Sequence, residues 1–390
     1  MNIRRILICF SVGIIFPLIV DAQKTQSDTL HITLAQIFSR IDTAYPSLAV
    51  YQAKNNALKA QAAGAKSWMP PTISLGLDKF PYQPGMLMVK GPENQAGVMI
   101  SAQQMIPNPA KLNAKKNTIE SQYGIQTSDS IWTSNALHSN AKYYYNRLCI
   151  AQMKLKIIAE SRSALTLLIA TAQARYQYNQ GELGGIYKAQ AKLLELNNME
   201  LMLRAEISES TIGLNILMNR DPLLPLSTDT NFVLTNYSFL AINDTVIGNR
   251  GDILSMNYSI QYMKASQNQM ALDKKPEFGI AVTHSQMLGM ENQYSVMGMM
   301  TIPIAPWSSG MYKSQVKAMS YEIISMQQEK ATMQLMARQM ATEKLSMFNF
   351  EKQQYFNYRD SIVPAYKSNY DVSLLAYRQN TGNLFVLLDA

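Results

Sequence analysis

From Lys111 to Asp221 the chain contains no proline, and Ala, Leu, Gln, Lys and Met run throughout. Such a stretch reads as helix, because nothing in it breaks the hydrogen-bond ladder and these side chains lose little freedom there. One break is visible, at Gly181-Glu182-Leu183-Gly184-Gly185. A helix from about Lys111 to Gln180 would be on the order of 100 Å long at ~1.5 Å per residue. A compact globular domain cannot contain that. A long coiled coil with solvated charged faces is one solution. Charged residues, however, make up only 16% of the chain, against about 25% in an average soluble protein. That deficit favours helices packed on several sides.

The prolines gather elsewhere, seven of the fifteen lying between Pro70 and Pro109. Here the hydrophobic period is two. Ile73, Leu75 and Leu77 alternate with Ser74, Gly76 and Asp78, and Val98, Ile100 and Ala102 alternate with Met99 and Ser101. The pattern returns at Phe278, Ile280 and Val282, and at Tyr294, Val296, Gly298, Met300 and Ile302. Polar, Gly- and Pro-containing linkers join each pair, Pro81 to Glu93 and Leu288 to Asn292. The spacing predicts strands at about 72–80, 95–106, 277–287 and 293–304. Each approaches the length of about 10 residues that a tilted transmembrane β-strand needs.

The N-terminus predicts export. Arg4 and Arg5 precede an apolar run of 15 residues, Ile6 to Val20, and Val20-Asp21-Ala22 offers a small residue before Gln23. That is the layout of a cleaved signal peptide over 1–22; a membrane anchor would need roughly 20 apolar residues. Later segments are all shorter than the ~18 uninterrupted apolar residues of a spanning helix. If the chain enters a membrane, it does so as a β-barrel. The remaining composition excludes more than it suggests. Hydrophobic residues at 47% allow a core, and the net charge of +8 is spread without a Lys/Arg block, so no nucleic-acid partner is indicated. His31, His138 and His284 lie far apart, and the only cysteines are Cys9 and Cys149. A zinc site, a disulfide scaffold and a Cys/His enzyme are unsupported, and no cofactor is expected.

The chain repeats itself. Pro46-Ser47-Leu48 aligns with Asp252-Ile253-Leu254, and Pro70 with Pro276, while Ile106-Pro107 matches Ile302-Pro303. Tyr178, Gln180, Ile186 and Ala191 are placed over Tyr377, Gln379, Phe385 and Ala390, an offset of 199. The predicted organisation is an α+β fold of two long-helix/β-hairpin repeats, 23–221 and 250–390, joined by a linker at 222–249. The second copy reaches Ala390 as its last helix begins, so a further C-terminal helix is expected. Four strands cannot close a barrel, because an open edge in lipid leaves backbone groups unpaired. Three copies would supply twelve strands, with their helices continuing as a tube.

These residues resemble the TolC-type outer-membrane efflux factors over essentially the whole mature length. The resemblance is carried by Tyr45-Pro46-Ser47-Leu48 with the Ala-rich helix to Lys66, and by Trp68-Met69-Pro70-Pro71-Thr72-Ile73-Ser74-Leu75. Arg175-Tyr176 with Gly181, Leu214-Asn215-Ile216-Leu217-Met218-Asn219-Arg220-Asp221-Pro222, Arg250-Gly251-Asp252-Ile253-Leu254 and Leu387-Leu388-Asp389-Ala390 extend it. Tyr45 replaces the family's usual Asn. The resemblance implies a homotrimer with a twelve-stranded barrel in the outer membrane of a Gram-negative bacterium and an α-helical tunnel through the periplasm. It implies a duct, not an enzyme, coupled to a periplasmic adaptor and an inner-membrane transporter. In such ducts the periplasmic tip closes through inter-helix contacts and an acidic ring. Asp389 falls on the acidic position, Tyr377 on the tyrosine tying neighbouring helices, and Tyr187 on the repeat partner. Val386 stands where some members carry a second acid. A solvated Asp389 near a helix start, favoured there by the helix dipole, is the plainer reading.

Twenty-five methionines are the compositional oddity. Met319, Met326, Met333, Met340 and Met347 recur every seven residues, as do Met256, Met263 and Met270. A heptad puts them on one helix face, which reads as an adaptable packing seam. Met287, Met290, Met297, Met299 and Met300 fall in and beside the predicted strands, near Met86, Met88, Met99, Met105 and His284. Thioethers select soft ions such as Cu(I) and, by extension, Ag(I). With Ile302-Pro303-Ile304-Ala305-Pro306-Trp307 after the last strand, the chain is similar to the heavy-metal branch of the family. Copper or silver is therefore the expected cargo. A multidrug or type I secretion duct stays open, as does a different class, a secreted trimeric coiled-coil fibre or adhesin.

Overall fold

The structure is a computed structural model describing residues 30–179, 181–229 and 242–390. The predicted signal peptide at 1–22, Gln180 and the middle of the predicted linker (230–241) lie outside the described residues. The first half runs β1 (Leu30–His31), α1 (Leu34–Ala44), α2 (Pro46–Gly64), β2 (Thr72–Asp78), β3 (Gly97–Ile106), α3 (Pro109–Ser121), α4 (Tyr123–Gln177), α5 (Leu183–Leu217) and β4 (Leu226–Ser227). The second runs α6 (Asp244–Gly248), α7 (Gly251–Ala271), β5 (Phe278–Met287), β6 (Gln293–Met300), α8 (Pro306–Asn357), α9 (Val363–Arg378) and α10 (Leu384–Asp389). A π-helical stretch, Tyr358–Ile362, joins α8 to α9. At 55 and 52 residues, α4 and α8 are each about 80 Å long.

The predicted rod from Lys111 is interrupted once, at Gln122 between α3 and α4. Next to the interruption, Gly124 lies against the Tyr258 ring so closely that a Cβ would overlap it. The break at 181–185 is narrower than predicted. Gly184 and Gly185 lie in the first turn of α5, where Gly185 is buried and a Cβ would come within 3.1 Å of the Leu384 side chain. Helix packing, not chain reversal, requires that glycine. Other motifs mark helix ends. Pro46 opens α2 and Asn108 caps α3. At the end of α5, Asn219 takes a positive φ of 53° while Asn215 Nδ2 donates to the carbonyls of Pro222 and Leu224. In Arg250-Gly251-Asp252 the guanidinium grips Asp252 and lies over Trp132, 5.1 Å from the ring centroid. The bare Gly251 lets α7 touch the α4 backbone, since a Cβ would sit 2.7 Å from Trp132 N.

The four long strands form one antiparallel sheet in the order β2-β3-β5-β6. Three ends fall short of the prediction. β2 stops at Asp78 because Lys79 takes a φ of 52°. β3 begins at Gly97, after Asn94 has turned its amide onto the Leu87 and Val89 carbonyls. β6 ends at Met300, ahead of Pro303, which has no N–H for a ladder.

The halves share an order of helix, hairpin, long helix and returning helix, although β1 and β4 belong to the first half alone among the described residues and the long helices are interrupted at different places. β2 and β5 begin at Thr72 and Phe278, β3 and β6 at Gly97 and Gln293. At the far end of the helices the predicted offset of 199 is wrong. α4 and α9 end at Gln177 and Arg378, and α5 and α10 begin at Leu183 and Leu384, an offset of 201. Asn179 and Asn380 take the same left-handed conformation, φ 57° and 61°. Asparagine tolerates that region by bonding locally, and it fixes the reversal better than the tyrosines do. The largest core lies midway along the rod, where Ile37 and Ile41 of α1 meet Leu137, Ala141 and Leu148 of α4 and Leu214 of α5.

Candidate functional site

Residues opposite one another in the sheet share a face, so the register sorts every side chain. One face carries the rows Ile73–Ala102–Val282–Val296 and Leu75–Ile100–His284–Tyr294, continuing to Ile106–Phe278–Met300 beside the helices. The other carries Ser74–Ser101–Thr283–Ser295, Thr72–Gln103–Ala281–Met297 and Met105–Gly279–Met299. The apolar face is open on all four strands, whereas the polar face is open on the outer strands and shielded along the central ones, β3 and β5. Ile73 and Leu75 are 72% and 73% exposed, Val296 66%, and Phe278, Ile280 and Val282 are exposed as well. Along β5 the alternate residues Gly279, Ala281, Thr283, Ser285 and Met287, on the polar face, are the shielded ones.

A soluble sheet does the reverse, burying its apolar side. This sheet is inside out, as a strand facing hydrocarbon must be. Ten residues of β3 span about 33 Å, which a tilt of about 45° reduces to the ~25 Å height of a lipid-facing band. Exposed aromatic side chains mark both ends of the sheet: Trp68, Phe278 and Trp307 near the helices, Tyr294 near the hairpin loops. Among the described residues no helix is long and apolar enough to cross a membrane. Among the described residues both outer strands, β2 and β6, have one edge without a partner.

The same register divides the strand methionines. Met297, Met299 and Met287 stand on the polar face, together with Met99 and Met105. Met300 falls on the apolar face and Met290 in the turn between β5 and β6, so neither joins that set. His284 is also on the apolar face, away from the sulfurs. Closeness in sequence does not group the five, because the strand period of two separates them. The heptad on α8 is split too: Met333 packs against Ile247, Ile253 and Ala337, whereas Met340 and Met347 are exposed.

At the opposite end of the molecule, α4 and α5 meet α9 and α10 in a packed tip. Tyr377 is buried there among Ala172, Ile186, Leu384 and Leu387. Arg175 of α4 lies over its ring, 4.6 Å from the centroid, and donates to the carbonyls of Tyr377 (2.8 Å) and Arg378 (3.3 Å). Those carbonyls end α9, where helical partners run out; Tyr377 O also accepts from Asn380 N (3.3 Å), and a guanidinium is well suited to the remaining acceptor capacity. Asn383 caps α10, its side chain accepting from Val386 N. Asp389 lies five residues after the start of α10, and its carboxylate is held by Lys188 Nζ at 2.6 Å. Tyr187 is exposed, with no hydrogen-bond partner among the described residues. The structure thus brings Tyr377 and Asp389 to one tip and leaves Tyr187 outside their contacts. Lys188 and the gripping role of Arg175 were missed in the sequence, where both are isolated cations more than 180 residues from what they hold.

No protein-family model and no curated protein sequence matches the chain. Solved structures do. The outer-membrane channel OprN superposes with a TM-score of 0.72 at 15% identity, covering 91% of this chain and 82% of that one. The Campylobacter jejuni CmeC outer membrane channel gives 0.72 at 14% identity, covering 91% and 79%. The outer membrane protein VceC of Vibrio cholerae gives 0.69 at 14%, covering 91% and 88%. The chain has the fold of the TolC-type outer-membrane channels that its sequence resembles.

Proposed function

We propose that the chain is one protomer of a homotrimeric outer-membrane duct of a Gram-negative cell, the exit channel of a tripartite efflux pump. The inside-out sheet is the observation that carries this reading, because an exposed apolar face and a polar face shielded along the central strands suit a wall between lipid and a water-filled pore. The β6 edge of one copy pairs with the β2 edge of the next, closing twelve strands so that every ladder group is satisfied. The helices continue as a tunnel across the periplasm. Exposed apolar side chains along them, among them Ile157, Leu335, Phe350 and Tyr366, are covered by neighbouring copies. A secreted fibre or adhesin would have no use for the sheet. The duct performs no bond chemistry. It receives cargo from an inner-membrane transporter through a periplasmic adaptor, and its gate is the tip around Tyr377 and Asp389, with Tyr187 facing the neighbouring copy.

The cargo is copper or silver as soft monovalent ions, supported by the thioethers of Met287, Met297 and Met299 on the face assigned to the pore. Loss of the chain is expected to sensitise cells to copper and silver, with growth on unrelated drugs and dyes unchanged and rescue by the full-length chain. Sensitivity to drugs alone, with metal tolerance intact, would make this a multidrug duct and return the methionines to packing.

A further inference from the structure

One group on the polar face is organised around a glycine. Gly279 lies between Met105 on β3 and Met299 on β6, in a single row across three strands. It is buried, and a Cβ there would fall 2.5 Å from Met105 Sδ and 3.3 Å from Met299 Cε. The two thioethers therefore reach toward each other across β5 only because residue 279 has no side chain. One pore-face row further from the helices, Gln103 turns its amide toward both. Its Nε2 is 3.7 Å from Met299 Sδ and 4.0 Å from Met105 Sδ. Thioether sulfur is a weak acceptor, and these separations are long, so the amide is easily displaced.

From this geometry we infer that Met105, Met299 and Gln103 form a binding site for a soft monovalent cation, Cu(I) or Ag(I), at the helix end of the barrel. Two neutral sulfurs supply the soft donors, and rotation of the Gln103 amide replaces its NH2 by Oε1 as a third. Hard ions such as Na⁺ and Mg²⁺ gain little from sulfur, so the site distinguishes them from the cargo. No charged ligand is included, so the ion is held loosely enough to leave, as conduction requires. Met297, in the Gln103 row, and Met99 and Met287, nearer the hairpin loops, are the next sulfurs along the same face. Successive same-face residues on a strand are about 6.6 Å apart. The placement of the site in a pore rests on the duct reading; the binding itself does not.

The test uses the full-length purified trimer with Ag⁺ as the probe, read by calorimetric titration, and with K⁺ conductance in planar bilayers measured on the same samples. Met105→Leu with Met299→Leu keeps the volume of both side chains and is expected to lower Ag⁺ affinity about tenfold or more. Gly279→Ala keeps both sulfurs but pushes Met105 aside, and a loss of affinity is expected there as well. Met300→Leu, on the apolar face, is expected to bind as the parent does. The site is overturned by a parent trimer that does not take up Ag⁺, by a double variant that binds unchanged, or by an equal loss in Met300→Leu. Ag⁺ binding that depends on these residues in a protein that forms no pore would keep the site and sink the duct.

Discussion

Val282→Arg is expected to eliminate the assembled protein from the outer membrane, whereas Thr283→Arg, one residue along the same strand, is expected to leave it in place. Val282 sits mid-strand in the exposed row with Ile73, Ala102 and Val296, and Thr283 in the polar row with Ser74, Ser101 and Ser295, half-buried with Ser101 on the two central strands. An arginine facing lipid at mid-depth costs about 2–4 kcal/mol, while lumen positions accept charge. Three copies multiply this to roughly 6–12 kcal/mol per assembly, comparable with the whole stability of a typical domain, about 5–15 kcal/mol. The readout is the heat-resistant trimer in the outer-membrane fraction on a denaturing gel. Equal tolerance of both variants, or equal loss, would show that the two faces do not differ in what they meet.

Arg175→Ala is expected to raise the open fraction of the tip about 30-fold, from a loss of about 2 kcal/mol for its hydrogen bonds to the end of α9. The guanidinium is half-buried, and it satisfies two helix-terminal carbonyls while covering the Tyr377 ring. The Lys188–Asp389 pair has the shorter distance but the smaller effect. Its side chains are 39% and 69% exposed, and an exposed pair contributes about 0–1 kcal/mol. Lys188→Ala should therefore open the tip a few-fold at most. Single-channel recording of open probability ranks the two. A larger effect from Lys188→Ala than from Arg175→Ala would move the lock from the buried tyrosine to the acidic residue.

Much of this architecture is legible in the sequence because it depends on periodic signals. The proline-free run became α3, α4 and α5, and the alternation at Ile73, Val98, Phe278 and Tyr294 became the four strands of one sheet. Alternation also holds the decisive fact, that residues of opposite character occupy opposite faces, but not which face is open. That required the register and the exposures, with Thr283 half-buried and Val282 open. Sequence adjacency misled where period two governs: Met299 and Met300 are neighbours in the chain and lie on opposite sides of the sheet. Long-range partners were illegible. Arg175 and the carbonyls it holds are 202 and 203 residues apart, and nothing in a lone arginine announces which helix end it will cap. The tip register was misread because matching tyrosines outweighed Asn179 and Asn380, although a left-handed turn constrains the backbone more tightly than an aromatic side chain does.

Reconstitution of the purified full-length protein into planar lipid bilayers tests the inside-out sheet most directly. Stable, stepwise K⁺ conductance from a detergent-extracted trimer is the expected result. A chain that stays monomeric and water-soluble without detergent, and leaves the bilayer silent, would contradict it.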